Sequence, residues 1–322
     1  MILLLGAGGY LGRIFSSELL RRGHNFIPLT RNTVDYADFD LFFDYVRRMK
    51  PSLIINAAGF SGKSDVNACE LAREKTLYSN VILPQTIAKV CSLTNVVWAH
   101  ISSTSIYSGA KILNGRPAGN ILADAELLEF WNKHPDKLFG FTEWDEPNFS
   151  FRHPPCNFYS GAKALAEEAI RGIGRGYIWR VGIPFNGRDE PENFLWQIQN
   201  QSKIRDCVNS FSYTDDFARA CLELWERKAP TGIYNVTNPG AISTRQIAGL
   251  VQKIIEPDRH FEFWKSDEEF YREGTGTLHS GCLMNVSKLL VAGVKIRPVQ
   301  EAMEDALRQW QKAPAPAEWV MA

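Results

Sequence analysis

The sequence predicts an α/β protein built on a doubly wound parallel sheet, and three observations carry this prediction. The chain opens with five apolar residues, 1–5, which a glycine ends, as is typical of a short buried strand. Apolar runs of strand length then alternate with stretches of helical period as far as Gly182. The third observation is the glycine-rich loop GAGGYLG, which follows the first strand and leads directly into a helix.

The elements alternate regularly in the first half of the chain. A helix is predicted over residues 10–22, because Leu11, Phe15 and Leu19 recur on one side and Gly23 ends the pattern. Such βαβ units place a ligand crevice at the carboxyl ends of the strands. Further strands are predicted over residues 25–30, 51–59, 95–103 and 176–182, and further helices over 38–50, 81–91 and around Tyr159.

The pattern is less regular after Gly182, where a smaller lobe is predicted. We divide the chain into a cofactor-binding domain, residues 1–183, and a substrate-binding lobe, residues 184–322, part of which returns to the main sheet. Residues 313–322 are expected to form a loose tail. Within the lobe we predict helices over 193–201, 214–228, 243–255 and 299–312 and a strand over 232–238.

The composition indicates a globular protein and excludes several classes of function. Of the 322 residues, 45% are hydrophobic and 22% charged, and 36 basic residues balance 36 acidic ones, so no general field favours nucleic acid. No apolar run approaches the ~20 residues of a membrane helix. Six cysteines without CxxC spacing argue against a zinc site or a disulfide framework. We expect a cytoplasmic protein without a metal, nucleic-acid or membrane partner.

The loop after the first strand has glycines at spacings suited to a dinucleotide. Gly6, Gly9 and Gly12 form a GxxGxxG pattern between a strand and a helix. One glycine permits the tight turn, another lets backbone approach a pyrophosphate, and the third allows close helix packing. The helix amino terminus favours the phosphate charge. We therefore predict a dinucleotide site here, with Tyr10 and Leu11 as neighbouring contacts.

The end of the second strand carries a cation where an acidic residue would bind the ribose 2′-hydroxyl of NAD. Arg31 would suit the 2′-phosphate of NADP, although it could equally be a solvated loop arginine. With no Asp or Glu between residues 25 and 33, the sequence favours NADP(H) over NAD(H). Asp35 is a weaker candidate for the adenine amino group. After the third strand, Ala57, Ala58 and Gly59 would let backbone lie against the cofactor.

A tyrosine and a lysine stand four residues apart in CNFYSGAKALAEE, so Tyr159 and Lys163 share one face of a helix. The pair could be an ordinary surface pair. Alternatively, because a phenol of pKa ~10 is a weak acid at neutral pH, a nearby ammonium could lower that pKa by stabilising the phenolate. A hydroxyl from another element could bind the same substrate oxygen. The strand that ends in HISSTSIY offers four such hydroxyls: Ser102, Ser103, Thr104 and Ser105.

Together these motifs resemble the extended short-chain dehydrogenase/reductase superfamily, which has a Rossmann-like fold. Within it, the chain is most similar to the dTDP-4-dehydrorhamnose reductase family and its nucleotide-rhamnose synthase relatives. The similarity extends over nearly the whole chain. The phrases that carry it further are INAAGFSGKSDVNACE, NFYSGAKALAEE, RVGIPFNGRDEPENF, GIYNVTNPGAIS and MNVSKL.

The resemblance implies hydride delivery from NADPH to the ketone carbon of a nucleotide-linked 4-keto-6-deoxysugar. Ser103, four residues before Tyr107, would bind the carbonyl oxygen. Tyr159 would donate the proton, and Lys163 would lower its pKa and hold the ribose. A second copy of the chain is a candidate partner. Substrate contacts are expected from Ser105, Asn186, Asn193 and Arg205. Arg205 could hold the nucleotide diphosphate, although it could equally belong to a solvated face.

The sequence departs from some relatives of this family. Those that also epimerise the sugar use a cysteine where this chain has Ser105 and a histidine in the loop that corresponds to residues 182–194, which contains none here. Epimerisation in the same site is therefore not expected. Residues 109–155 form a long insertion, either a surface elaboration or a lid. Two other functions stay open: an epimerase or dehydratase that retains NAD, and an NADP-binding regulatory subunit without turnover.

Overall fold

The computed structural model describes residues 1–62, 66–112 and 120–310. The predicted loose tail, 313–322, lies outside these residues. The strands are β1 (Ile2–Leu5), β2 (Phe26–Leu29), β3 (Leu53–Asn56), β4 (Val97–Ser103), β5 (Ala110–Ile112), β6 (Asn120–Leu122), β7 (Leu138–Phe139), β8 (Gly176–Val181), β9 (Ile183–Phe185), β10 (Lys203–Ile204), β11 (Val208–Asn209), β12 (Phe211–Tyr213), β13 (Gly232–Val236), β14 (Ile242–Ser243) and β15 (Glu262–Phe263).

Helices separate most of these strands. They are α1 (Tyr10–Arg21), α2 (Phe39–Met49), α3 (Asn67–Leu71), α4 (Arg73–Leu77), α5 (Leu83–Leu93), α6 (Asp124–Lys133), α7 (Phe158–Ile170), α8 (Phe194–Asn200), α9 (Thr214–Glu226), α10 (Thr244–Ile254), α11 (Asp267–Glu269), α12 (Ser287–Val291) and α13 (Val299–Arg308). A π-helical turn, Tyr78–Ile82, joins α4 to α5, so the helix predicted over 81–91 belongs to a longer helical segment.

A six-stranded parallel sheet in the order β13-β8-β4-β3-β1-β2 forms the centre of the fold. The fold class predicted from the sequence is therefore confirmed. The strand order reverses between β1 and β3, and in doubly wound sheets the ligand crevice lies at such a point, outside the carboxyl ends of the strands. The loops that follow β1 and β3 are the two glycine- and alanine-rich loops of the sequence.

Apolar side chains cover both faces of this sheet. On one face, Phe15 and Leu19 of α1 and Phe217 of α9 pack against the strands. On the other face, Phe42 of α2 and Ile87 of α5 are fully buried in a second cluster. β1 and β3 are thus buried from both sides, which explains their continuous runs of apolar residues.

A further apolar cluster involves only residues from 183 onward. It joins β9, β12, α8, α10 and α13 around side chains such as Phe185, Phe211 and Met303. The chain also returns to the central sheet, because β13 pairs in parallel with β8. The division at residues 183 and 184 stays a prediction.

The insertion contains more structure than the sequence indicated. Strands β5, β6 and β7 form a small antiparallel sheet in the order β6-β5-β7, and α6 follows β6. Leu127 of α6 is fully buried against Val208 and Leu283. The described part of the insertion is therefore packed onto later parts of the chain.

Candidate active site

The loops after β1 and β3 enclose a cavity of about 200 Å³. Its position at the carboxyl ends of these strands is where a doubly wound sheet binds its ligand. The lining residues are Gly6, Gly9, Arg31, Tyr36, Ala57, Ala58, Gly59, Ser79 and Leu83. Six of them were cofactor candidates in the sequence, whereas Tyr36, Ser79 and Leu83 were not.

Close backbone approach requires glycine at two positions of the first loop, once against the loop after β3 and once within the loop itself. Gly6 has φ +73°, and a Cβ there would lie 2.6 Å from the Ala58 nitrogen. A Cβ at Gly12 would collide with the carbonyl of Gly6. Gly12 is the third glycine of the pattern, and its role is close packing of α1 on the loop. The loop therefore keeps its backbone exposed towards the cavity, which fits a dinucleotide pyrophosphate.

Arg31 lines this cavity, and its neighbour Tyr36 is buried beside the glycine loop. Burial raises the pKa of Tyr36, while Arg31 and a hydrogen bond with the Gly6 backbone act in the opposite direction. The Asp35 carboxylate instead accepts a hydrogen bond from the Ala37 nitrogen at 3.1 Å and caps its own turn. Tyr36 thus lines the cavity together with Arg31, and a contact of Asp35 with the adenine amino group stays a prediction.

Helix α7 places Tyr159 and Lys163 against the end of β4. The helix starts where the Asn157 side chain accepts a hydrogen bond from the Ser160 nitrogen at 2.7 Å. The Lys163 ammonium donates to the Ile101 carbonyl of β4 at 2.9 Å. The Ser103 hydroxyl lies close enough to the Tyr159 phenol to act on its pKa. The structure therefore brings Ser103, Tyr159 and Lys163 together.

The protonation equilibria of this group differ from those of exposed side chains. Burial raises the pKa of Tyr159 to about 12, although the hydrogen bond with Ser103 acts in the opposite direction. Burial lowers the pKa of Lys163 to about 8. The predicted lowering of the Tyr159 pKa by Lys163 is thus not what the free chain shows, because loss of solvation dominates at the phenol.

The catalytic candidates lie beside the cofactor cavity. A Cβ at Gly59 would lie 3.9 Å from the Lys163 ammonium and 3.1 Å from the Asn80 side-chain oxygen. Asn80 also fixes this loop, since its amide bonds both the nitrogen and the carbonyl of Phe60 at 2.8 and 2.7 Å. Behind the loop, Asn56 accepts from the Ala58 nitrogen and donates to the His100 ring. Lys163 therefore adjoins the cavity at Gly59.

Two of the predicted substrate residues serve the structure of a loop in the free chain. Asn186 and Asn193 are buried and hydrogen-bonded to each other, with the Asn193 amide donating to the Asn186 carbonyl at 2.8 Å. Asn186 also donates to the Tyr10 hydroxyl at 3.0 Å. Tyr10 therefore contacts this loop rather than the cavity lining. Leu11 packs against the apolar core.

The other two predicted substrate residues are also engaged within the chain. The Arg205 guanidinium donates to both carboxylate oxygens of Asp267 at 2.8 Å and to Asp124 at 2.8 Å. Its charge is thus already neutralised, which argues against a diphosphate ligand. The Ser105 hydroxyl accepts from Ser103 at 3.0 Å and stays partly exposed beside it. Of the four predicted substrate residues, Ser105 is therefore the one that adjoins Ser103 at the end of β4.

A larger cavity, of about 260 Å³, lies elsewhere in the molecule. Gly176 and Gly232, which begin β8 and β13, line it, so it lies at the amino ends of these strands. None of the predicted site residues lines this cavity. In the part of the chain that the structure describes, no cluster of three or more metal-ligating side chains occurs. Nor does any described helix have the length and apolar character needed to span a membrane.

The comparison with known families decides the relationship of this chain. The family model described as the RmlD substrate binding domain matches residues 1–311. The chain belongs to this family. The resemblance inferred from the motifs is thereby confirmed.

Relatives of known sequence carry names that agree with the predicted reductase activity. A dTDP-4-dehydrorhamnose reductase of Aggregatibacter actinomycetemcomitans is 30% identical over 79% of this chain and 81% of its own length. A bifunctional dTDP-4-dehydrorhamnose 3,5-epimerase/reductase of Arabidopsis thaliana is 27% identical over 83% of this chain and 79% of its own length. A trifunctional Arabidopsis protein, whose name includes UDP-4-keto-L-rhamnose-reductase, is 28% identical over 83% of this chain. The match spans only 36% of that longer protein.

Solved structures of the RmlD family type share the fold. The UDP-rhamnose synthase of Acanthamoeba polyphaga mimivirus superimposes with a TM-score of 0.79 at 21% identity, over 96% of this chain and 98% of that one. The dTDP-4-dehydrorhamnose reductase of Bacillus anthracis, solved in complex with NADP, superimposes with a TM-score of 0.73 at 18% identity, over 96% and 97%. At these identities the likeness establishes the architecture.

Proposed function

We propose that this protein is a reductase that transfers a hydride from NADPH to the ketone of a nucleotide-linked 4-keto-6-deoxysugar. The observation that carries the proposal is the position of Lys163, whose ammonium lies beside Gly59 of the cavity and on the same helical face as Tyr159. A dinucleotide in the cavity and a proton donor on α7 would thus both act on the ketone of one substrate. The names of the relatives support the same activity.

In this proposal the cavity holds NADPH, which supplies a hydride to the carbonyl carbon when bound. The exposed backbone of the glycine loop would face the pyrophosphate, and Gly59 and Lys163 would face the nicotinamide ribose. The hydroxyls of Ser103 and Tyr159 would bind the carbonyl oxygen. Tyr159 would then give its proton to that oxygen and recover one from solvent, so that a ketone becomes an alcohol.

Arg31 supports a preference for NADP(H) over NAD(H). Its side chain lines the cavity, and among the described residues no carboxylate is hydrogen-bonded to it in the way that Asp267 is to Arg205. We expect Arg31→Asp to weaken NADPH binding by about tenfold or more, because it exchanges a favourable ion pair with the 2′-phosphate for repulsion. Fluorescence titration with NADPH and NADH measures this change. Equal loss of affinity for both nucleotides would contradict the assignment of the 2′-phosphate to Arg31.

The test of the activity itself uses two sugar nucleotides. NADPH oxidation is followed with dTDP- and UDP-4-keto-6-deoxyglucose, each with and without a separate 3,5-epimerase. Because Ser105 replaces the cysteine of epimerising relatives, we expect oxidation only when the separate epimerase is present. Co-purified NAD with no net NADPH oxidation would favour the retained-cofactor epimerase instead. Tight NADPH binding with no oxidation of either substrate would favour a regulatory subunit.

The role of the proton donor has its own test. Tyr159→Phe should abolish turnover and leave NADPH binding intact, since only the hydroxyl is lost. Undiminished turnover in this variant would exclude Tyr159 as the acid.

We also propose that residues beyond 183 hold the nucleotide part of the substrate, because β9 and β12 lead from the central sheet into the later apolar cluster.

A homodimer is a further part of the proposal. Tyr78 and Ile82 in the π-helical turn and Leu165 in α7 are apolar and 43%, 48% and 39% exposed on neighbouring helices. Such a face is suited to another copy of the chain. Light scattering should show a dimer that Leu165→Glu dissociates and the control Leu20→Glu, on the opposite face of the sheet, does not. A monomeric wild-type protein would refute the dimer.

A further inference from the structure

Three consecutive residues of β4 each contact one side chain of α7. The Ile101 carbonyl accepts from Lys163 at 2.9 Å, the Ser102 hydroxyl donates to Glu167 at 2.6 Å, and the Ser103 hydroxyl interacts with Tyr159. Tyr159, Lys163 and Glu167 are spaced by four residues and therefore form one stripe along the helix. Glu167 is the third member of this stripe and has no part in the reaction described above.

Glu167 is the anion of a buried ion pair. Its carboxylate accepts from Arg180 of β8 at 2.6 and 2.9 Å, and the two side chains are only 5% and 1% exposed. A buried ion pair contributes little net stability, because desolvation of both charges offsets their attraction, and apolar residues of the same volume would serve packing as well. The charge of Glu167 therefore calls for a role other than packing.

We propose that Glu167 is a positioning residue for Lys163: held by Ser102 and Arg180, its carboxylate supplies the negative charge that keeps the buried Lys163 ammonium protonated. The inference rests on the proposed function, since it concerns the lysine of that site. The protonated form matters because only an ammonium can both donate to the Ile101 carbonyl and stabilise a phenolate at Tyr159.

The surroundings of Lys163 agree with this role. Burial is the largest influence and lowers the pKa of Lys163 to about 8, and Glu167 is the first group that acts against it, followed by Cys69 of α3. His100 of β4 stays neutral, because burial and Lys163 keep its pKa well below the usual range. Among these groups Glu167 is the carboxylate that acts on the ammonium.

The surroundings of Glu167 complete the charge environment. Arg180 faces it from β8, and the Tyr107 ring lies 5.1 Å from that guanidinium. Glu143 contacts the Asn235 nitrogen of β13 at 2.9 Å and adds to the negative charge around Arg180. Even while it is paired with Arg180, the Glu167 carboxylate raises the pKa of the Lys163 ammonium against the effect of burial.

The proposal is tested by pH profiles of Glu167→Gln, which keeps an acceptor for the Ser102 hydroxyl but removes the charge. In the wild-type enzyme kcat should fall on the basic side with an apparent pKa of about 8, as Lys163 loses its proton. In Glu167→Gln this fall should move to lower pH by about one unit or more. We call the fall of kcat at high pH the basic limb of the profile. A loss of kcat that is the same at every pH, with the basic limb unmoved, would show a merely structural role and overturn the proposal.

Two further variants separate charge from hydrogen bonding. Ser102→Ala removes the hydroxyl and keeps the carboxylate, so the basic limb should stay in place. Glu167→Asp retains the charge and should restore the limb towards its wild-type position. If Glu167→Gln fails to fold with Arg180 unpaired, the double variant Glu167→Gln/Arg180→Gln removes both charges and should still show the displaced limb. An undisplaced limb in that double variant would equally overturn the proposal.

A direct titration distinguishes this inference from the proposed function. The protein is labelled with ¹³C-lysine, and the signal that Lys163→Met removes is followed against pH by NMR in the wild-type and Glu167→Gln proteins. A lower midpoint in Glu167→Gln supports the proposal. If Lys163→Met and Tyr159→Phe abolish turnover but the midpoint does not move, this inference alone fails. If those two variants retain full turnover, the proposed function of the site fails, whatever Glu167 does to the titration.

Discussion

Replacement of Gly6 by alanine tests whether the glycine loop is built by close backbone approach. Gly6 has φ +73°, and an added Cβ would lie 2.6 and 2.7 Å from the nitrogen and Cα of Ala58. The neighbour is backbone of the loop after β3, so it cannot turn aside as a flexible side chain would. Gly8, two residues later in the same loop, provides a matched control, because a Cβ there would meet no heavy atom within 4 Å.

The expected magnitude follows from two opposing effects. A left-handed backbone conformation costs an alanine about 1–2 kcal/mol relative to glycine. Replacing glycine by alanine also restricts the unfolded chain, which stabilises the protein by about 0.4–1 kcal/mol. At Gly6 the first effect outweighs the second, and the collision with Ala58 adds to the loss. At Gly8 only the second effect operates, so Gly8→Ala should be as stable as the wild type or slightly more stable.

Thermal unfolding of the ligand-free protein measures the difference between the two variants. We expect the midpoint of Gly6→Ala to lie a few degrees below that of Gly8→Ala. Gly6→Ala should also bind NADPH more weakly in a fluorescence titration, since the displaced loop carries the backbone that faces the cavity. A midpoint for Gly6→Ala at or above that of Gly8→Ala would refute the close approach of the two loops.

Two further predictions concern charged residues outside the cavity. Arg205→Met should destabilise the protein by about 3 kcal/mol, because it leaves Asp124 and Asp267 without their cation. The KM for the substrate should change little. A raised KM with unchanged thermal stability would restore Arg205 as a diphosphate ligand. Asp145 has a lowered pKa, because hydrogen bonds from Lys111 and Thr142 outweigh the effect of burial. Its contribution to stability is therefore present above about pH 4 and lost as the pH falls through the folded-state pKa. The difference in unfolding midpoint between wild type and Asp145→Asn should shrink between about pH 6 and pH 3, and a constant difference would contradict this reasoning.

The sequence was sufficient where one local pattern determines the structure. The apolar residues of β1 and β3 identify strands buried on both faces, and each is followed by a small-residue loop. Because parallel strands end at one edge of the sheet, these loops had to meet, and their contact at Gly6 and Ala58 confirms it. The spacing of Tyr159 and Lys163 likewise determined that the two side chains share one face of α7, and the contact of Lys163 with Ile101 shows that this face meets the end of β4.

The sequence was insufficient where the partners are far apart along the chain. Arg205 finds its carboxylates 81 residues before and 62 residues after itself, and no local pattern indicates such a pairing. The insertion likewise has distant partners, since Leu122 of β6 and Leu127 of α6 lie in one apolar cluster with Val208 and Leu283. At the cavity, Asp35 and Tyr36 are adjacent in the sequence, and only the course of the turn places Tyr36 in the lining.

The state of Tyr159 in the free chain bears on the direction of the reaction. A phenol whose pKa burial raises to about 12 is fully protonated at neutral pH, and so is ready to act as an acid. Hydride transfer to a ketone leaves an alkoxide, which is a stronger base than a phenolate, so the proton moves downhill even from this weak acid. Oxidation of an alcohol would instead need the phenolate, which the free site disfavours. The ammonium of Lys163 therefore matters after proton transfer, when it stabilises the phenolate, and this requires that Lys163 itself remain protonated at the working pH.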